Sequence, residues 1–470
     1  MSGYIGSTPV PQATQHRESF TATAGQTSFA TAGYTPQFVD VYLNGVHLSP
    51  ADVTATNGSD VVLVACLVND IVDVVSYSPF EVANQTFTGT IDITGELKTT
   101  TLGTSNFRAG VNAGNSITSG GNFNAVVGDE AGTAITTGDN NTAVGYNAGA
   151  AVTTGTRNTF MGSNAGDAVT EGIQNVGIGR EALGADTLGS NSVAVGNSAL
   201  RAQNFTTATD AYNTAVGDQA GLAVTTGARN TIMGGLAGDA LTTGSFSVAV
   251  GYAALSTEDT ADNNTAVGYA ALTTLNGGTQ NTAVGQSAGA AMTTGNQNTI
   301  VGTNAGDALT DADHNVALGY NALSADTLGS RTTAIGVGVL ASQNFTTATE
   351  VMNTVVGAFA AEDVTVGVQN TIVGALAGLQ LTDADFNVAI GYAALSQDVL
   401  GSRSVAVGYG ALDAQNFTTA TNSYNTAVGN NAGGGVTTGT QNTILGGLAG
   451  VAVTTGTNNV LIGYSAGSSS

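Results

Sequence analysis

The strings in this chain that could do chemistry are short. Gly285-Gln286-Ser287-Ala288-Gly289 and Gly463-Tyr464-Ser465-Ala466-Gly467 match the G-x-S-x-G turn that exposes a nucleophilic serine. Gly177-Ile178-Gly179-Arg180-Glu181-Ala182 is dinucleotide-like, and it lacks the strand, turn and helix that such a string needs. Carboxylates recur in two sets: Asp186, Glu258, Asp326 and Asp398 in one, Glu171, Asp311 and Asp383 in the other, with Asp313 and Asp385 two residues further on. A pair of such groups could hydrolyse a glycosidic bond, and oxygen ligands could hold a divalent cation. His16, His47 and His314 are scattered, so a histidine metal site is not expected. The single Cys66, within VVLVACLV, reads as a buried small hydrophobe.

Each of these strings has to be weighed against a repeat that runs through most of the chain. A motif Asn-Thr-x-aliphatic-Gly-x-x-Ala begins at Asn141 and returns at Asn158, Asn213, Asn281, Asn353 and Asn442, among others. Its glycine marks coils from Gly110 to Gly463, most of them 17 residues apart. Three longer coils carry the inserted string QNFTTAT, at residues 203 to 209, 343 to 349 and 415 to 421. Blocks of four coils begin at Gly145, Gly217, Gly285, Gly357 and Gly429, and the second block lacks the insertion. Set in this register, Ser287 and Ser465 hold a position that Asn147, Asn164 and Asn304 fill elsewhere, so the serine motif is an ordinary coil. The acidic sets read as solvated turn faces, and Asp311, Asp313, Asp383 and Asp385 are the weak candidates for a cation site. No cofactor and no catalytic residue are expected.

Composition fits one small coil copied many times. Of 470 residues 66 are Gly, none is Trp, and 42% are apolar. Only 9% are charged, which excludes a disordered chain; five prolines exclude collagen. The net charge is −24, with nine Lys and Arg in all, so nucleic-acid binding is not expected. The start, MSGYIGSTPVPQ, lacks the basic-then-apolar order of a secretory leader, and no apolar run approaches about 20 residues, so a soluble chain without membrane insertion is expected.

Thr and Val favour strands, whereas Gly, Asn and triplets such as Thr153-Thr154-Gly155 favour turns. Seventeen residues hold two or three short strands and no helical hairpin, which predicts a parallel β-roll with the motif asparagines stacked as a ladder of amides. Side chains alternate across a strand, so the two residues before each marker Gly point in opposite directions. Both are apolar. The second is large in the second coil of every block, at Phe160, Ile232, Ile300, Ile372 and Ile444, and these are expected to line the axis of a homotrimer. The inserted strings each present an aromatic, Phe205, Phe345 or Phe417, among hydroxyls and amides, which suits contact with a sugar receptor; a Phe folded back over the roll is the competing reading.

The NTAVG-type coils resemble the head repeats of trimeric autotransporter adhesins, which are left-handed parallel β-rolls of three chains. The run NNTAVGYNAGAAVTTG is still more similar to tail-fibre proteins of bacteriophages of marine cyanobacteria. Residues 2 to about 82, with SGYIGSTPVPQ, TATAGQTSF, FVDVYLNGVHLSP and DIVDVVSYSPF, resemble the virion-proximal domain of the same fibres. The residues themselves predict strands at Val39–Leu43, 61 to 68 and 71 to 77, with Asn44-Gly45 as a hairpin turn.

The expectation is an all-β chain: a small N-terminal β-sandwich over 1–82 for virion attachment, a β shaft over 83–109, and a rod of about 17-residue coils over 110–470, packed as a homotrimer. The resemblance implies a phage tail fibre, extracellular on the virion, held by tail or adaptor proteins and binding host surface polysaccharide or lipopolysaccharide. A bacterial trimeric adhesin, a polysaccharide-degrading tailspike and an ice-binding solenoid are the alternatives.

Overall fold

A computed structural model describes residues 13–79, 102–257 and 260–469. The chain divides into two compact units, and the expected shaft lies, up to residue 101, outside the described residues.

The first unit is an antiparallel sheet of four strands in the order Ala13–Thr21, Ile71–Pro79, Val39–Leu43, Val46–His47, with a two-stranded ribbon of Ser28–Ala30 and Asp60–Val62. Ribbon and sheet share one core of Phe29, Val41, Val61, Val72 and Val74. Asn44 and Gly45 both take positive φ, 50° and 84°, and close the hairpin in which Leu43 faces Val46. The strand expected over 61 to 68 stops at Val62. Beyond it Cys66 turns into the core, whereas Leu67 and Val68 are exposed. This apolar run is a loop held at two residues that face the core: Leu63 N–H donates to Thr27 O at 2.8 Å, and Gly25 N–H donates to the Cys66 carbonyl at 2.8 Å.

The second unit is a parallel β-solenoid of about 21 turns. Each coil contributes one three-residue strand just before its marker Gly, from Phe107–Ala109 through Thr142–Val144 and Thr282–Val284 to Val460–Ile462. The registers pair each strand only with those one coil before and after: Ala143 faces Phe160, Ala266 faces Ala283, Ile444 faces Leu461. The result is an open ladder of identical register that advances about 4.8 Å per coil, roughly 100 Å over the unit.

The rest of the coil is irregular and no less tightly bonded. Gly149 N–H donates forward to Ala165 O, while Asn147 N–H donates back to Asp129 O, both at 2.9 Å, so every coil is tied to both neighbours. The marker glycines have φ between 119° and 146°, and a Cβ on Gly145 would lie 2.6 Å from the carbonyl oxygen of Gly162. The expected asparagine ladder is present and buried. Asn158 N–H donates to Asn141 Oδ1 at 3.0 Å, and Asn158 Nδ2 donates to Gly172 O at 2.9 Å, a pair of bonds that recurs down the stack.

The interior is thin, and this reverses one expectation. Phe160, Ile232, Ile300, Ile372 and Ile444 are 0–1% exposed within a single chain and belong to its continuous core. They face inward, so they line no trimer axis. Their size answers a deficit across the roll. In the first three blocks, four residues after the marker, the first two coils carry Gly (Gly221 and Gly238, Gly289 and Gly306) where the last two carry Leu (Leu255 and Leu272, Leu323 and Leu340); the fourth block has Ala361 in its first coil. The isoleucine fills the space opened by that pair of glycines; a Cβ on Gly221 would come within 2.9 Å of Ile232 Cδ1. Where the filler is Phe160, the next coil answers with Gly177 in place of the usual Ala.

Candidate functional site: the inserted loops and the corner row

The inserted loops carry the densest polar organisation in the solenoid. Phe205, Phe345 and Phe417 are only 6%, 6% and 5% exposed, so the aromatic ring of each loop covers the roll and does not meet a receptor. Beneath it lies a carboxylate. Asp186, Asp326 and Asp398, read from the sequence as solvated, are fully buried. In the third of these sites Asp398 accepts from Gln415 Nε2 at 2.5 Å, from Phe417 N–H at 2.9 Å and from Gly401 N–H at 3.2 Å. Gln415 donates also to Ser404 Oγ at 2.9 Å and accepts from Asn425 Nδ2 at 2.8 Å. The glutamine thus bridges the asparagine ladder where Ser404 replaces an Asn and the longer coil breaks its step. Gln203 and Gln343 do the same for Asp186 and Asp326. Glu258, the counterpart in the block without an insertion, lies outside the described residues.

Burial pushes the three carboxyl groups above the usual carboxylate range, and the surrounding N–H donors only partly offset it. A carboxyl whose folded value is raised contributes most below its unfolded value of about 3.9, and that contribution is lost as pH rises through the folded value. Acidification from pH 7 towards 4 is therefore expected to tighten the loops. Hydrogen exchange at the amides of Phe205, Phe345 and Phe417, corrected for intrinsic rate, measures it; loosening over that range would contradict the assignment.

The remaining candidates lie apart from this network. Asp313 Oδ1 accepts from Asn296 N–H at 2.7 Å and Asp385 Oδ1 from Val368 N–H at 2.8 Å, so both brace the preceding coil. Asp311 accepts from Thr294 Oγ1 at 2.7 Å, and Asp383 is exposed. Among the described residues no group of three or more metal-ligating His, Cys, Asp or Glu side chains comes together. Ser287 sits in a left-handed turn, φ 54°, like Asn147 and Asn304 in their coils, as the repeat register requires.

Sequence reasoning passed over one row. The residue five before each marker Gly has φ between 48° and 65° in all 21 coils, a corner of the coil in the left-handed region. Asn suits that backbone, and Asn140, Asn191, Asn263 and Asn458 occupy it. Elsewhere it holds Phe123, Tyr212, Phe246, Phe386 and Tyr424, all largely exposed. Four of the six arginines in residues 110–470 also stand in it: Arg157, Arg229, Arg331 and Arg403. Neighbours in the row stack. The guanidinium carbon of Arg403 is 4.6 Å from the Phe386 ring centre and 5.9 Å from that of Tyr424; Arg229 lies 5.2 Å from Phe246. Aligning the chain on its own marker glycines brings these residues into one column, which was the available signal.

Searches against protein-family models, curated proteins and solved structures return no match to this chain.

Proposed function

We propose that the chain is a structural and adhesive fibre protein of a phage virion: the first unit attaches to tail or adaptor proteins, and a homotrimer of the solenoid carries receptor contacts away from the particle. One observation carries the reading, the unbroken parallel ladder whose outer face is apolar. From Thr142–Val144 onward Thr or Val opens each strand on that face and an aliphatic residue or Met closes it, and among the closing residues Met161, Met233, Leu318, Ile390 and Leu445 are exposed in the single chain. Beside them run exposed tyrosines, stacked in pairs at Tyr252–Tyr269, 5.8 Å, and Tyr392–Tyr409, 5.4 Å. Parallel sheets are ordinarily covered on both faces, and contiguous exposed apolar surface marks an interaction site. A second and third copy would cover it, through the strand face opposite to the one expected from the sequence.

Sedimentation equilibrium is expected to return three times the 46.3 kDa chain mass. The combined variant Met161→Glu/Met233→Glu/Leu445→Glu, which places charges on the shared face and leaves the interior intact, is expected to sediment as a monomer. A monomeric parent chain would overturn the trimer. Immunogold labelling with antibody to residues 110–470 is expected to decorate the tail fibres of intact virions; label on a bacterial surface instead would favour the trimeric adhesin. The tailspike reading draws less support, because three of the recurrent carboxylates are enclosed and committed to holding loops. Among the described residues no helix is long and apolar enough to cross a membrane.

A further inference from the structure

Where each inserted loop returns to the roll, it pairs a two-residue strand with the coil before it: Thr209–Asp210 on Gly189–Ser190, Thr349–Glu350 on Gly329–Ser330, Thr421–Asn422 on Gly401–Ser402. The return strand lies beside the corner row, and together they form a notch. The three notches have one frame, with the same Gly-Ser strand, the same Thr and the same buried Asp–Gln pair behind it. Their outward residues differ. In the first, Asn191 Nδ2 donates to Asp210 Oδ1 at 2.8 Å; in the second, Arg331 Nε meets Glu350 Oε1 at 3.2 Å; in the third, Arg403 Nε donates to Asn422 Oδ1 at 3.0 Å. The flanking row residues vary as well, from Gln174 to His314 to Phe386.

A frame held constant while the exposed positions change is how a scaffold carries contacts. In the second and third notches the row residues Arg331 and Arg403 also bear a cost. A bulky residue in the left-handed region is less favourable than the Asn that serves in other coils. The second notch is concave, about 180 Å3, and lined by Asp313, His314, Ser330, Arg331, Thr349 and Glu350, an open set of alternating donors and acceptors. The third offers an arginine held between two aromatic rings, which fixes a planar fork of donors next to apolar faces.

We infer that the three notches are glycan-binding subsites, each taking one pyranose unit of a surface polysaccharide through its hydroxyls and, in the third, through the apolar face of the ring. This deepens the adhesive reading above and rests on it. The insertions lie eight and then four coils apart, about 38 Å and 19 Å at 4.8 Å per coil. A polymer with a repeating unit can span such sites, so weak contacts add by avidity.

The test uses the full chain on an array of defined bacterial polysaccharides: neutral hexose polymers, uronic-acid polymers and O-antigens. The parent chain is expected to bind at least one of these. The variant Asn191→Ala/Arg331→Ala/Glu350→Ala/Arg403→Ala is expected to lose at least tenfold in apparent affinity with an unchanged thermal transition, and Arg331→Ala alone to lose a few-fold. Arg180→Ala/Arg201→Ala, which removes cations outside the row, is expected to bind as the parent does. Undiminished binding by the fourfold variant, or no polysaccharide retained by the parent chain, would overturn the subsites. The two readings fail separately: labelled virions with notch-independent binding would sink only the subsites, and unlabelled virions with notch-dependent binding would sink only the fibre.

Discussion

The double variant Ile232→Ala/Gly238→Leu is expected to be more stable than either of its parents. Ile232→Ala alone empties a fully buried position flanked by Gly221 and Gly238, and should cost about 2–5 kcal/mol. Gly238→Leu alone drives a side chain into Ile232 and Leu241, whose Cδ1 would stand 2.9 Å from the new Cβ, an overpacking cost of about 1–3 kcal/mol. The backbone does not forbid leucine there. Gly238 has φ 53°, and Leu255, at the matching place one coil on, has φ 51°. Combined, the changes reproduce the set Ala266, Leu272 and Leu275 that the fourth coil of the block buries without strain. The coupling should favour the double variant by about 1–3 kcal/mol. Because a solenoid opens locally, hydrogen exchange over Thr231–Met233 and Val248–Val250 reports the effect better than a global melt. Strictly additive costs would show that the two positions do not share one space.

Asp398→Ala should release the third inserted loop. The substitution strips a buried acceptor from Gln415 Nε2, Phe417 N–H and Gly401 N–H at once, and unsatisfied buried donors cost about 1–3 kcal/mol each. A local loss of about 3–5 kcal/mol is enough to expose Phe417, otherwise 5% exposed, to chymotrypsin. Cleavage at Phe417 in the variant, with Phe205 and Phe345 still protected in their own intact loops, is the expected digest. Asp383→Ala, at an exposed carboxylate in the same block, should leave the pattern unchanged. If the Asp398 variant resists cleavage, the network is not what holds the loop.

Much of this architecture was legible in the chain. The spacing of the marker glycines predicted the coil, the strand before each Gly and the amide ladder, because a turn that recurs at one register can be built only one way. What the pattern did not show was which side of the strand is inside. On the inward face of the strand a thin roll has room mainly for alanine, so the larger strand aliphatics end up outside, and there the usual equation of bulk with burial points the wrong way. Phe160 and the four isoleucines are the largest exceptions, and the glycines that admit them sit on the far wall, six or more residues away along the chain. The loops misled for a related reason. A phenylalanine among threonines looks exposed until an aspartate 19 residues earlier is seen to bond its backbone. That aspartate lies in the preceding coil, beyond the reach of any local rule.

The exchange of bulk between the two walls also limits how such a solenoid can change its length. Because one large side chain serves the glycines of two successive coils, removing either of those two coils alone leaves an empty centre or a collision. Gain or loss of a complete four-coil block preserves every interior contact and the phase of the inserted loops. A solenoid that keeps both its interior contacts and its loop phase therefore changes length in steps of about 19 Å, four ladder spacings at a time.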